Sequence, residues 1–277
     1  MKGRERTMNP LIQLKRAIPF FVVALAWLGL LPIAQALLPP PPPDGGYPNG
    51  NTAEGDRALF NLTTGVGNTA VGFEALFDNT NGHANTATGG QALWNNTSGE
   101  ANTATGRSAL VRNTTGDANT ATGAGALADN TTGSSNTATG REALRLNRGS
   151  LNTAMGSLAL YNNTTAFFNT AMGSEALFNN RTGLSNTANG YQALFSNITG
   201  GSNTATGVQA LYRTTGGGNI ALGFQAGVNL TTGNNISISA TLEWQANPTK
   251  SASAHKARTT ALSLLAFRAW RGPETMW

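Results

Sequence analysis

The sequence of 277 residues contains no cysteine, and it contains no lysine between residues 51 and 239. The absence of cysteine excludes disulfide bonds, thiolate metal sites, cysteine nucleophiles and an anchor attached through a lipid-modified cysteine. Histidine occurs only twice, at His83 and His255. A zinc site or a catalytic triad needs several such side chains that converge, and these two lie far apart in the repeat frame. We therefore expect a protein that is not an enzyme and holds no metal or other cofactor.

The net charge of +5 does not indicate a nucleic-acid-binding protein, because most of the basic residues lie outside the central part of the chain. Residues 1–50 and residues 240–277 each carry five basic and two acidic side chains. Residues 51–239 carry eight arginines and nine acidic side chains. A nucleic-acid-binding domain concentrates its basic residues on the folded surface. We expect no nucleic-acid partner.

The first 36 residues are typical of a signal peptide. After a basic region, residues 17–33 are almost wholly apolar, and residues 34–36 read Ala-Gln-Ala, which is the small-x-small pattern of a cleavage site. We expect export, a mature chain that begins near Leu37, a secreted or cell-surface location, and contact with the membrane only through this segment. The alternative is an uncleaved anchor, because about 20 apolar residues can span a bilayer. Residues 37–50 form a proline-rich linker.

From residue 51 the chain is an array of repeats of 16 or 17 residues. Each repeat starts with Asn-Thr-Ala-x-Gly and continues with Ala-Leu, often with an aromatic residue next, and most repeats finish with Asn-Thr-Thr-Gly or a close variant. Asn219 and a degenerate Asn235 continue the series. A leucine stands eight positions after the first asparagine of each regular repeat, namely Leu59, Leu76, Leu93, Leu110, Leu127, Leu144, Leu160, Leu177, Leu194 and Leu211.

One repeat is too small to bury its own leucine, whereas stacked repeats cover the apolar face of their neighbours. Thr-rich Asn-Thr-Ala-x-Gly favours a short strand that ends at a glycine, and Asn-Thr-Thr-Gly is typical of a turn. The sequence therefore predicts an all-β parallel β-solenoid of about twelve rungs over residues 51–239, with the leucines in a buried column and asparagine amides paired along the stack. The x-Ala-Leu-aromatic segment fits either a second short strand or a single helical turn.

The repeat resembles the head repeats of trimeric autotransporter adhesins and, more closely, the repeats of secreted bacterial proteins related to phage tail fibres. The resemblance implies a left-handed parallel roll, assembly as a homotrimer, and a fibre or head module with an adhesin-like function at the cell surface. The resemblance does not identify the ligand at that surface. The chain departs from these families at its C-terminus, where it has neither a recognisable β-barrel anchor nor a chaperone domain.

Residues 240–277 break the pattern. Lysine reappears at Lys250, Trp244 and Trp270 occur without register, and no repeat position is filled again. We interpret this tail as the product of a reading-frame change or replacement rather than as a functional domain, although a small amphipathic cap over residues 259–270 is the alternative.

Two repeat columns are candidate sites. Glu74, Glu142 and Glu175 share one position, which Gln91, Gln192 and Gln209 occupy in three other repeats, so a solvated polar edge explains them better than an acid–base pair. Thr-Ala-Thr triplets suggest an alternative function as an ice-binding solenoid, provided that both threonines point outward. Against this, Val71 and Met155 occupy the second threonine position and suggest partial burial. The candidate ladder consists of Thr86, Thr88, Thr103, Thr105, Thr120, Thr122, Thr137 and Thr139.

Overall fold

The computed structural model describes residues 46–240, and the chain divides into two compact units, Met1–Asn136 and Thr137–Trp277. Within the described residues each unit is an all-β parallel solenoid, which confirms the fold class predicted from the repeat. The signal peptide, most of the linker and all but the first residue of the tail lie outside the described residues.

Within residues 46–136 the first unit contains one antiparallel strand followed by five parallel strands. The antiparallel strand β1 (Gly46–Tyr47) pairs with β2, and a short 3-10 helix (Pro48–Gly50) joins the two. Residues 46–50, assigned to the linker from sequence, are therefore part of the fold. The parallel strands are in register, threonine opposite threonine and alanine opposite alanine; they are β2 (Asn51–Glu54), β3 (Thr69–Val71), β4 (Thr86–Thr88), β5 (Thr103–Thr105) and β6 (Thr120–Thr122).

Within residues 137–240 the second unit contains seven strands, β7 to β13, and the pairs within it are again parallel. The last strand corrects the predicted register: Ser237 pairs with Ile220, so Ile236 and not Asn235 stands where the other rungs have their first asparagine. The strands are β7 (Thr137–Thr139), β8 (Thr153–Met155), β9 (Thr170–Met172), β10 (Thr187–Asn189), β11 (Thr204–Thr206), β12 (Ile220–Leu222) and β13 (Ser237–Ser239).

The x-Ala-Leu-aromatic segment is neither a strand nor a helical turn but a pair of consecutive β-turns. The Ala75 N–H donates to the Gly72 carbonyl at 3.2 Å, and the Asn79 N–H donates to the Leu76 carbonyl at 3.2 Å. Glu74 and Leu76 adopt left-handed backbone angles, with φ of 54° and 51°. The Leu76 N–H donates to the carbonyl of Ala92 on the next rung at 3.0 Å. These turns bring the chain round while each leucine stays inside the stack.

The apolar core consists of alanine and leucine columns. Alternate residues of a strand face opposite sides, and in every parallel strand but the last the central alanine is buried. The ten predicted ladder leucines are fully buried in their respective units: Leu59, Leu76, Leu93, Leu110 and Leu127 in the first, and Leu144, Leu160, Leu177, Leu194 and Leu211 in the second.

The first asparagine of each repeat forms a buried hydrogen-bonded ladder. The Oδ1 atom of Asn102 accepts from the backbone N–H of Asn119 at 3.0 Å and from its Nδ2 at 3.1 Å. The Nδ2 of Asn102 donates to Asn85 Oδ1 at 3.1 Å and to the Gly116 carbonyl at 2.8 Å. Because a buried amide without partners is costly, this pairing makes a polar residue compatible with the core.

The asparagine of Asn-Thr-Thr-Gly forms a second buried ladder, which sequence analysis treated only as a turn residue. The Nδ2 of Asn96 donates to Asn79 Oδ1 at 2.7 Å and to the Gly99 carbonyl at 2.9 Å. The same pattern recurs in the second unit, where Asn180 Nδ2 donates to Asn163 Oδ1 at 3.0 Å. The regular recurrence of this asparagine in the repeat is the sequence feature from which the second ladder could have been predicted.

The glycine that ends each strand leaves no room for a side chain, whereas the position after it does. Gly89 has φ of 126°, and a Cβ there would lie 2.8 Å from the backbone carbonyl carbon of Gly106. A Cβ at Gly90 would meet no atom closer than the Phe73 oxygen at 4.0 Å. We expect Gly89→Ala to lower the free energy of unfolding by on the order of 1–3 kcal/mol or more, and Gly90→Ala to change it little. Urea denaturation of both variants measures this; equal stabilities would contradict it.

The buried ladder can be tested with two asparagines three positions apart in the second unit. Asn186 is fully buried and its Oδ1 accepts from the N–H and Nδ2 of Asn203 at 3.0 Å and 3.1 Å. Asn189 is exposed on the outer face of β10. Asn186→Ala leaves buried donors without an acceptor, at about 1–3 kcal/mol for each lost partner, whereas Asn189→Ala should be neutral within about 0.5 kcal/mol. Thermal denaturation of both variants is the measurement, and a stable Asn186→Ala variant would be the contrary result.

Candidate functional site

The outer face of the strands carries the predicted threonine ladder. In β4, β5 and β6 the central alanine is buried and both flanking threonines are exposed. In the second unit, Thr137 and Thr139 flank a buried alanine in the same way on β7. All eight predicted ladder threonines therefore point outward: Thr86, Thr88, Thr103, Thr105, Thr120, Thr122, Thr137 and Thr139.

The expectation that the second threonine position is partly buried is wrong. Met155 is 45% exposed and Leu222 is 58% exposed at this position, and Val71 is exposed as well. The reason is that alanine, leucine and the two asparagine ladders fill the interior, so the residues on either side of the alanine must face outward. Large side chains fit at this position because the outer face of the strands lies on the surface of the unit rather than in its core.

Three consecutive strands of the first unit present a small regular lattice of threonines. Neighbouring strands of a sheet lie about 4.8 Å apart, and residues i and i+2 of one strand lie about 6.6 Å apart. Thr103 pairs in register with Thr86 on one side and with Thr120 on the other. Each position offers a hydroxyl and a methyl group. Such a lattice can order water or bind another flat, regular surface.

The aromatic residues after the leucines form stacked columns that lie half-buried on each unit. Phe60 and Phe77 stack with centroids 5.2 Å apart and Trp94 continues the column at 5.8 Å. In the second unit the centroids in the column of Tyr161, Phe178, Phe195 and Tyr212 are 5.1–5.3 Å apart. Since the ring faces are engaged with each other, the columns offer ring edges rather than faces to a ligand.

The glutamate position forms a hydrogen-bonded ladder rather than an acid–base pair. Glu74 Oε1 accepts from Arg57 Nη1 at 2.8 Å, and its Oε2 accepts from Gln91 Nε2 at 3.1 Å. Glu175 Oε2 accepts from Gln192 Nε2 at 2.8 Å in the second unit. Glu74 is buried, so this edge is less solvated than the sequence suggested. The glutamines that interrupt the column supply the donors that the carboxylates need.

His83 lies at a corner where side chains accept backbone hydrogen bonds from the preceding rung. Its Nδ1 accepts from the Val66 N–H at 3.1 Å. Two rungs further on in the same column, Asp117 Oδ1 accepts from the Glu100 N–H at 2.8 Å. Within residues 46–240 no three or more histidine, aspartate or glutamate side chains are grouped to hold a metal ion. His255 lies outside the described residues.

No protein-family model, curated protein or solved structure matches the chain. The resemblance to adhesin heads and tail-fibre repeats therefore stays a prediction, and the fold assignment depends on the structure itself. Between residues 46 and 240 no helix is long and apolar enough to cross a membrane.

Proposed function

We propose that this chain is a non-enzymatic structural repeat protein that is exported and serves as an adhesin-like or fibre-type module at the cell surface or beyond it. The observation that supports this most is the contrast between the two sides of each rung. The recurring alanine, leucine and asparagine residues are buried, while outward positions other than the first threonine of most strands differ from rung to rung. A scaffold needs only a stable interior and a variable outside, whereas a catalytic site needs a few fixed groups that converge.

Export is the part of the proposal that can be tested first. The chain should leave the cytoplasm and lose its first 36 residues, because they combine a basic region, an apolar stretch and a cleavage pattern. Cell fractionation, protease treatment of intact cells and N-terminal sequencing measure this, with a cytoplasmic marker as control. A mature terminus near Leu37 is expected. Retention of the full chain in the cytoplasm would contradict the proposal, and a retained apolar segment in the membrane would favour the anchor.

Self-association is the second part of the proposal, and the expected form is a homotrimer. A rung filled with alanine and asparagine buries little apolar area, so packing of several chains supplies stability that one chain lacks. Large apolar side chains exposed on the second unit, such as Met155 and Phe168, favour this. Light scattering of the purified full-length chain should give three times the monomer mass. A monomer at all concentrations would rule out this part of the proposal while leaving export untouched.

Ice binding is a second candidate function, favoured by the outward orientation of the threonine pairs on β4 to β6. A flat lattice of hydroxyl and methyl groups matches an ordered water layer better than an irregular surface does.

The ice-binding candidate makes a prediction with a matched control. If it is correct, the full-length chain inhibits ice recrystallisation and Thr105→Tyr abolishes most of that activity, because the bulky ring interrupts the lattice. Thr115→Tyr should have no effect, since Thr115 is exposed but lies outside the strands. An inactive wild-type chain, or equal activity of the two variants, would eliminate this candidate.

A further inference from the structure

The corner that precedes each first-ladder asparagine differs in chemistry between the two units. In the first unit it carries one exposed apolar residue, Val66, and otherwise polar or small residues, among them His83, Glu100 and Asp117. In the second unit, on three consecutive rungs, it carries large exposed apolar side chains. We call this set the apolar corner; it consists of Leu151, Phe167, Phe168 and Leu184.

The apolar corner has a cost for the fold that its own unit does not offset. Leu151 and Phe168 both have φ of 60°, a left-handed conformation that is unfavourable for large side chains. Phe168 is 60% exposed, so it gains little from burial within its own chain. At the position of Phe167 the first unit has side chains such as Asp117 that accept a rung-to-rung hydrogen bond, which a phenylalanine cannot do. Large side chains that are retained although their backbone conformation and exposure do not stabilise their own chain indicate a role in binding to something outside the chain.

The surroundings of the apolar corner make another copy of this chain a suitable partner. Residues 149–174, which include Leu151, Phe167 and Phe168, contain no charged side chain, and Arg181 is the charged residue nearest in sequence to Leu184. Around a symmetry axis parallel to the direction in which the rungs stack, a corner that faces the axis meets its own copies at equal height. An acidic corner such as Glu100 and Asp117 would then repel itself, whereas leucine and phenylalanine would be buried. Because every copy has the same rung spacing, contacts made on one rung repeat on the next.

We propose that the apolar corner, flanked by Met155 and Met172 on the strand face, is the surface through which copies of this chain associate in parallel. This inference rests on the self-association included in the proposed function and adds the surface that mediates it. The aromatic columns, the other surface that could be buried between chains, already stack within each unit. The apolar corner is the less satisfied surface and therefore the better interface.

The first experiment compares two variants of the full-length chain by light scattering over a concentration series. The double variant Leu151→Ser with Phe168→Ser installs the residue that Ser185 provides at the same position on a neighbouring rung, which keeps the backbone compatible. Phe224→Ser is the matched control, because Phe224 is also 60% exposed on the second unit but lies outside the corner. The double variant should weaken association about tenfold or more, and the control should not.

The second experiment uses the absence of cysteine from the chain. A single Phe168→Cys substitution should form an interchain disulfide on mild oxidation, because equivalent residues meet at equal height and a disulfide requires Cα atoms within about 7 Å. Phe224→Cys should not. This test keeps the inference falsifiable even if the serine variant folds poorly.

The outcomes separate the inference from the proposal beneath it. A monomeric wild-type chain overturns both. An oligomer that survives the double variant and does not cross-link through residue 168 overturns only the surface assignment. A monomer that binds lipid vesicles through Phe168 assigns the corner to a membrane surface instead and likewise overturns the inference. Selective dissociation together with cross-linking at residue 168 supports it.

Discussion

The structure depends on the buried asparagine ladders, because they are what fixes each rung against the next. Alanine and leucine columns tolerate small displacements, whereas an amide that donates to one rung and accepts from another does not.

The two shorter rungs show how strictly the ladders keep their register. Both lose one residue at the same place, between the second-ladder position and the following glycine, so Asn147 Nδ2 donates to the Gly149 carbonyl two residues on rather than three, at 2.7 Å. Length varies at the corner while the ladders keep their register, and this is why 16- and 17-residue repeats coexist.

The same constraint explains how the ladders end. At the start of the first unit the Pro48 carbonyl accepts from Asn51 Nδ2 at 2.8 Å, in place of the preceding asparagine that the other rungs have. Near the end of the second unit the first ladder stops at Ile236, which donates its backbone N–H to Asn219 Oδ1 at 3.1 Å but has no amide to continue. In the second ladder Thr214 and then Leu230 replace asparagine, and Asn197 Oδ1 is left buried without a partner among the described residues. Apolar residues thus enter the ladder positions before residue 240. The reading-frame hypothesis stays a prediction, because residues 241–277 lie outside the described part of the chain.

Sequence reasoning reached the fold and the buried leucines because period and register are properties of the chain alone, and stacked identical rungs leave few alternatives. It failed where a choice between inside and outside depended on side-chain volume. Val71 and Met155 suggested that the second threonine position is buried, yet the interior has room only for alanine at the middle of the strand. It also left the Ala-Leu segment undecided between strand and helix, since left-handed backbone angles at residues such as Glu74 and Leu76 contradict ordinary preferences and are imposed by the stack. The last rung was misaligned by one residue because Asn235 imitates the ladder asparagine that Ile236 replaces.

Because packing and hydrogen bonding determine the inward residues of each rung, only the outward residues are free to determine function. The outward surfaces of the two units differ. The first unit presents threonine pairs on β4 to β6 and acidic side chains at its corner, both suited to hydrated contacts. The second presents methionines on β8 and β9 and large apolar residues at the corresponding corner. Because the rungs that carry these residues have the same buried alanines, leucines and asparagines in both units, the differences are not required for folding, and for Phe168 they oppose it through a left-handed backbone. Selection on the surface is the remaining explanation: a solenoid of this kind acquires a new contact by changing one outward column over a few rungs, without altering the ladders that hold it together.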